Sequence, residues 1–186
     1  MRIDLGPKSL VYPEPVLVIG TYNDDDTCNA MTAAWGGVSD TNEIMICLSE
    51  SHRTTKNILK RKDFTVAFAT AEKHIECDYI GMVSGNDEKE KVEKCGFTPA
   101  KASKVDAPLF NELPVALECR LKSYDKDTGH LFADILNVSV DEGVTSDGKV
   151  DLEKFHPIIY DGLNHTYNKI GEKVGEAYKD YKYLTR

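Results

Sequence analysis

The sequence predicts a mainly β protein: a single-domain Greek-key barrel with a few short helices inserted. Three observations carry this. Apolar runs of strand length recur between turn-forming clusters such as Asn23-Asp-Asp-Asp-Thr27, Ser39-Asp-Thr-Asn42, Asp125-Lys-Asp-Thr-Gly129 and Thr145-Ser-Asp-Gly148. The connections between these runs are short enough for antiparallel neighbours. The segments with helical periodicity are few and brief. At 186 residues the chain suits one compact unit with its own core, 1–186, and no repeat or linker divides it.

Taken in order, Tyr12-Pro-Glu-Pro-Val-Leu-Val-Ile-Gly20 reads as a loop leading into a buried strand. Asn29-Ala-Met-Thr-Ala-Ala-Trp35 follows, and its two faces divide by size. Ala30, Thr32, Ala34 and then Gly36 are all small; Met31, Ala33 and Trp35, the only tryptophan, face the other way. Such a strand either packs tightly against a neighbour or lets a flat ligand come close, with the Thr32 hydroxyl to orient it. Its expected antiparallel partner is Glu43–Leu48, across the 39–42 turn.

Ser49-Glu-Ser-His-Arg-Thr-Thr-Lys-Asn57 then opens a helix, with Ser51 the expected N-cap. Arg53, Thr54, Thr55 and Lys56 fall in the first turn, where cations oppose the helix dipole unless an anion sits among them. Lys60-Arg-Lys62 favourably charges the last turn. A flat-ligand face close in sequence to an anion cradle suggests a flavin mononucleotide, FMN.

Phe64–Phe68 is the next strand, with Phe64, Val66 and Phe68 on one face. From Glu72 to Gly96 the pattern is helical and polar, interrupted at Ser84-Gly-Asn-Asp87, and residues 87–94 carry seven charges in eight positions. Pro114–Tyr124 and His130–Val140 form a long hairpin. Leu152–Tyr160 returns to the core, and Gly171–Tyr183 makes a C-terminal amphipathic helix or arm.

The chain resembles the flavin reductase-like, FMN-binding split-barrel family, which includes flavin reductases, flavoredoxins and ferric reductases. The similarity rests on Asn29–Trp35, on Ser49–Ile58, and on Gly81-Met-Val-Ser-Gly85 followed by Lys91 and Gly96-Phe97. It continues through Leu113-Pro114, His130 before an apolar strand, Pro157-Ile-Ile-Tyr160, Tyr167 and Gly171. It implies a split barrel that binds FMN. Asn29, Ala30, Met31, Thr32, Ala33, Ala34 and Trp35 would lie at the ring, and Ser49, Ser51, Arg53, Thr54, Thr55 and Lys56 at the phosphate. Lys91 would stand near the pyrimidine edge, with Lys89 the competing candidate. His130 and Tyr160 would lie on the substrate side, with Tyr167 a weaker candidate.

The resemblance also implies a homodimer and electron transfer, as an NAD(P)H-dependent reductase of flavin or a small oxidant. Alternatives are a flavoredoxin-like electron carrier fed by another redox protein, and a non-redox interaction module. With no G-x-G-x-x-G segment, a nicotinamide could meet the flavin only transiently. No residue is required as a covalent nucleophile.

Composition limits the partners. The net charge of −8, without a basic stripe, argues against nucleic acid and anionic membrane surfaces. No apolar run approaches the ~18 residues of a membrane span. Residues 1–8 lack the apolar core of a signal peptide. The five cysteines, scattered and without a C-x-x-C pair, suit reduced thiols in the cytoplasm. Metal binding by Asp24, Asp25 and Asp26, or by His156, Asp161 and His165, is disfavoured by spacing.

Overall fold

The computed structural model describes residues 1–184. Its main sheet has seven antiparallel strands: β2 (Leu17–Tyr22), β3 (Cys28–Ala33), β4 (Gly36–Asp40), β5 (Glu43–Cys47), β6 (Asp63–Phe68), β9 (Val115–Tyr124) and β10 (His130–Val140). A short β1 (Glu14–Pro15) precedes them, and β7 (Pro99–Lys101) and β8 (Pro108–Phe110) form a hairpin between β6 and β9. The spatial order is β3-β2-β6-β9-β10-β5-β4. Only Ala34 and Trp35 separate β3 from β4, yet these two strands occupy opposite edges. The sheet therefore curls until its edges approach, which makes it a half-barrel.

Side-chain alternation builds two cores. Leu17, Ile19, Ile44, Ile46, Phe64, Val66, Cys119 and Leu131 fill the concave side with Leu48 and Ile58. Val16, Val18, Ala30 and Ala116 face the opposite way and pack against Cys77, Ile80, Val92 and Phe110. Phe64, Val66 and Phe68 share the concave side, as their spacing predicts. The long hairpin β9–β10 turns through Asp125, whose Oδ1 accepts the amides of Asp127 (2.9 Å) and Thr128 (3.3 Å), and through Gly129 at φ +74°.

The helices flank the sheet on both of its sides. α1 (Arg53–Arg61) follows β5, and the acidic turn 23–27 holds its far end through Asp24–Lys60 and Asp26–Arg61 contacts of 2.6 Å each. α2 (His74–Met82) and α3 (Lys91–Lys94) cover β3. After β10 come the small hairpin β11 (Thr145–Ser146) and β12 (Lys149–Val150), then α4 (Leu152–Phe155). β13 (Ile158–Asp161) and β14 (Thr166–Lys169) join β1 in a three-stranded sheet of order β1-β13-β14.

Two expectations change. The 29–35 strand does not pair with 43–48; β3 pairs with β2, and β4 is the partner of β5. The reason is the break at Ala34–Trp35, which moves the chain from one edge of the sheet to the other. Ser51 is not the N-cap of α1; His52 holds that position with no side-chain bond, while Ser51 Oγ lies 2.8 Å from Ser49 Oγ. Of the helix or arm expected at the C-terminal end, the arm is what forms: residues 171–179 are exposed and lead into a 3-10 turn over Asp180–Leu184. Among the described residues no helix is long and apolar enough to cross a membrane, and no cluster of metal ligands forms.

Candidate functional site

A groove runs along β3, which has a strand neighbour on one side only. Its outward backbone groups are therefore open to a ligand rather than to a sheet. Two cavities make up the groove and meet at Gly81 and Met82, at the end of α2. The smaller, about 180 Å³, is lined by Met31, His52, Arg53, Thr54, Lys91 and residues 80–85. The larger, about 360 Å³, is lined by Thr32, Ala33, Ala34, Asp78, Tyr160, His165 and Tyr167.

The small-residue face of β3 is packed rather than free. Ala30 is fully buried, and Thr32 donates its hydroxyl to the Cys77 carbonyl at 2.5 Å. A Cβ added at Gly81 would stand 2.9 Å from Thr32 Cβ, so this glycine is what lets α2 approach the strand. Thr32 thus fixes α2, and what it offers a ligand is its backbone.

At the α1 end, Asn29 is buried and donates to Thr54 Oγ1 at 2.8 Å and to Thr21 Oγ1 at 3.3 Å. That contact ties the strand to the helix start. Arg53 Nε and Thr55 Oγ1 are both buried with no hydrogen-bond partner, but only Arg53 lines the cavity; Thr55, fully buried, does not reach it. An unmatched donor of this kind is costly unless a ligand completes it. Lys91 is 2% exposed and donates to the carbonyls of Ile80 (2.9 Å) and Val83 (2.6 Å) at the end of α2. Burial pushes its ammonium down to about 8. His52 at the rim is also held below its ordinary value, first by partial burial and second by the Lys91 charge. Both groups gain if an anion enters the groove.

At the other end the hydroxyls are matched. Tyr160 Oη shares a 2.8 Å hydrogen bond with His165 Nδ1, and Tyr167 donates to Asp78 Oδ1 at 2.8 Å. Burial first, then that bond, raises the Tyr167 phenol far above its usual range. The two tyrosine rings lie 5.9 Å apart.

The structure brings Met31, Thr32, Ala33, Ala34, Arg53, Thr54, Lys91 and Tyr160 to the groove. Lys89 is exposed, and Lys91, not Lys89, lines the cavity. Ser49, Ser51 and Lys56 lie on the outer side of the helix start, with Lys56 Nζ 3.3 Å from Asn86 Oδ1. Trp35, 58% exposed, borders two neighbouring cavities. His130 stands opposite Cys47 at the start of β10 and lines neither part of the groove. His52, Asp78, Met82 and His165 join the site without having been assigned to it from sequence: His52 and Met82 lie inside the motifs that carry the resemblance, and His165 enters there only as a disfavoured metal ligand. His52 carried a usable signal in its place at the start of α1, and Met82 in its place within Gly81–Gly85.

Comparison with known proteins agrees with this geometry. Residues 9–164 match the model of the flavin reductase like domain. The flavoredoxin of Desulfovibrio vulgaris (Miyazaki F) is 32% identical, with a TM-score of 0.92 over 96% of this chain and 98% of that one. The flavoredoxin of Methanosarcina acetivorans, 24% identical, has a TM-score of 0.88 over 99% of both chains. An FMN-binding domain of flavin reductases-like enzyme from Shewanella baltica, 18% identical, shares the fold with a TM-score of 0.79 over 88% and 89%. A groove along an edge strand, basic at a helix start and lined by tyrosines beyond, thus lies within a chain that belongs to the flavin reductase-like family.

Proposed function

We propose that the groove binds FMN and that the protein uses it for electron transfer, in an NAD(P)H-dependent reduction of flavin or a small oxidant. The observation that carries this is Arg53 Nε, buried without a hydrogen-bond partner at the α1 end of a groove beside an open strand edge. The residues of the groove fit a phosphate-bearing planar group. Arg53, Thr54 and the free amides of the first turn of α1 meet the phosphate, with Ser49, Ser51 and Lys56 outside them. The backbone of Met31–Ala34 meets the ring edge, and Asn29 keeps strand and helix in register. Lys91 adds positive charge to the α1 end of the groove.

When bound, the isoalloxazine supplies the redox chemistry. The chain's part is to hold it, shield one side with α2, and leave the other side toward Tyr160. The Tyr160 hydroxyl, bonded to His165 Nδ1, is the group placed to hold or pass a proton at the groove.

Titrating FMN while following Trp35 fluorescence tests the proposal, with saturable quenching as the expected result. Absence of saturable binding overturns it in favour of the non-redox module. A second reading, an electron carrier fed by a redox protein, is favoured by the similarity to flavoredoxin. Anaerobic mixing of the FMN-loaded protein with NADH, NADPH or a reduced ferredoxin separates the two, because each reading names a different bleaching donor.

The proposal includes a homodimer in the cytoplasm. Support for the dimer comes from exposed apolar groups, Trp35 at 58% and Val38 at 77%. The free thiols support a reducing compartment. Light scattering checks the dimer, and a mass near 20.8 kDa at micromolar concentration rejects it.

A further inference from the structure

Beside the groove lies a separate cavity of about 240 Å³, between the N-terminal segment and the β13–β14 turn. Its lining includes Lys8, Glu14, Trp35, Tyr160, Gly162 and His165. Glu14 is the unusual member. It is 8% exposed, and its Oε2 is buried without a hydrogen-bond partner. No ion pair joins it to Lys8 among the described residues.

The register explains how it comes to face the cavity. Glu14 pairs directly with Tyr160 across β1–β13, and Tyr160 pairs with Tyr167 across β13–β14. Directly opposed residues share a face, so the three side chains stand in one row. Tyr167 is matched by Asp78, and Tyr160 by His165. Glu14 alone in the row has no such partner. A Cβ built on Gly162 would lie 3.7 Å from Glu14 Oε2 and 3.5 Å from Tyr160 Cε1, so the absence of a side chain there keeps this corner open.

A carboxylate drawn out of water without a partner is costly, and a cation or a forked N–H donor removes that cost. Trp35 and Tyr160 supply aromatic walls that favour a flat ring and add attraction for positive charge. We propose that this cavity is a second ligand site, selective for a planar cation whose charged end meets Glu14. It goes beyond the FMN reading and stands whether or not the groove holds FMN. Because Tyr160 and His165 line both spaces, a ligand here borders the groove.

The test uses two probes of the same shape and opposite charge, benzamidine and benzoate, titrated calorimetrically against the full chain. Benzamidine is expected to saturate and to change Trp35 emission, with benzoate weaker by about tenfold or more. Glu14→Gln keeps the shape and removes the charge, and should weaken benzamidine by about tenfold while FMN binding stays unchanged. Gly162→Val keeps the carboxylate, fills the corner and should abolish benzamidine binding, which decides the matter if the Gln variant does not fold. Equal binding of the two probes, as would follow if Lys8 already neutralises Glu14 in solution, overturns the proposal. So does failure of benzamidine to bind, or an undiminished affinity in both variants. FMN titrated into the same samples keeps failure of this site distinct from failure of the groove.

Discussion

The two ends of the groove solve the same problem, polar groups withdrawn from water, in opposite ways. At the α1 end a buried group is left over: Arg53 Nε has no partner, and Lys91 and His52 are held below their ordinary values. At the β13–β14 end, Tyr160 is matched by His165 and Tyr167 by Asp78. An end with surplus donors is complete only with an anion in it. An end already satisfied can exchange one ligand for another at little cost. On the proposed reading, holding falls to the first end and turnover to the second.

The largest effect should come from the unsatisfied end. Arg53→Ala removes the guanidinium but leaves the edge of β3 intact, so FMN should weaken by about tenfold to a hundredfold, ~1.5–3 kcal/mol. Riboflavin, which has no phosphate, should change little. Fluorescence titration of both ligands checks this. Equal losses would mean that the α1 end does not read the anion.

Much of this arrangement was legible in the sequence, and the rest was not for identifiable reasons. The period-two patterns of Phe64–Phe68 and of the β9–β10 hairpin placed their side chains correctly, because alternation is local. The 29–35 stretch was legible as a strand with one small face. That α2 covers this face depends on Gly81, some fifty residues away, fitting against Thr32. The β3–β2 pairing was hidden because Ala34 and Trp35 look like continued strand, while the curl of the sheet is a property of all seven strands. Glu14 carried no signal at all, since its lack of a partner exists only once β1 meets β13.

Lys91 gives the intermediate prediction. Its pKa of about 8 lies below the ordinary 10.5, as burial outweighs the small opposing pull of Cys95. Between those values the unfolded chain binds more protons than the folded one, so this residue makes stability rise with pH through that window. Affinity for an anionic ligand should move the other way. From about pH 7 to about pH 9.5 FMN should weaken severalfold as the ammonium loses its proton, and Lys91→Met should flatten that slope. His52, lowered from 6.5, titrates below the window and does not obscure it. The same variant leaves the Ile80 and Val83 carbonyls without their donor, at a cost of about 1–3 kcal/mol in chemical denaturation. An unchanged slope in the variant would place the charge that FMN senses elsewhere.

The smallest effect on binding should come from Tyr160→Phe, and it is the sharpest check on the division between the ends. The substitution keeps the ring against the groove and removes one hydroxyl, whose partner His165 is exposed and can turn to water. Its structural cost should stay under about 1 kcal/mol, and FMN affinity should shift by less than about twofold. What should change is turnover. With no hydroxyl at the groove, the rate of flavin bleaching by the effective donor should fall severalfold. Stopped-flow absorbance, set beside the fluorescence titration of FMN, separates the outcomes. A loss of FMN affinity as large as that of Arg53→Ala would show the tyrosine end to be part of the cofactor's grip, and the contrast between a holding end and a turnover end would fail.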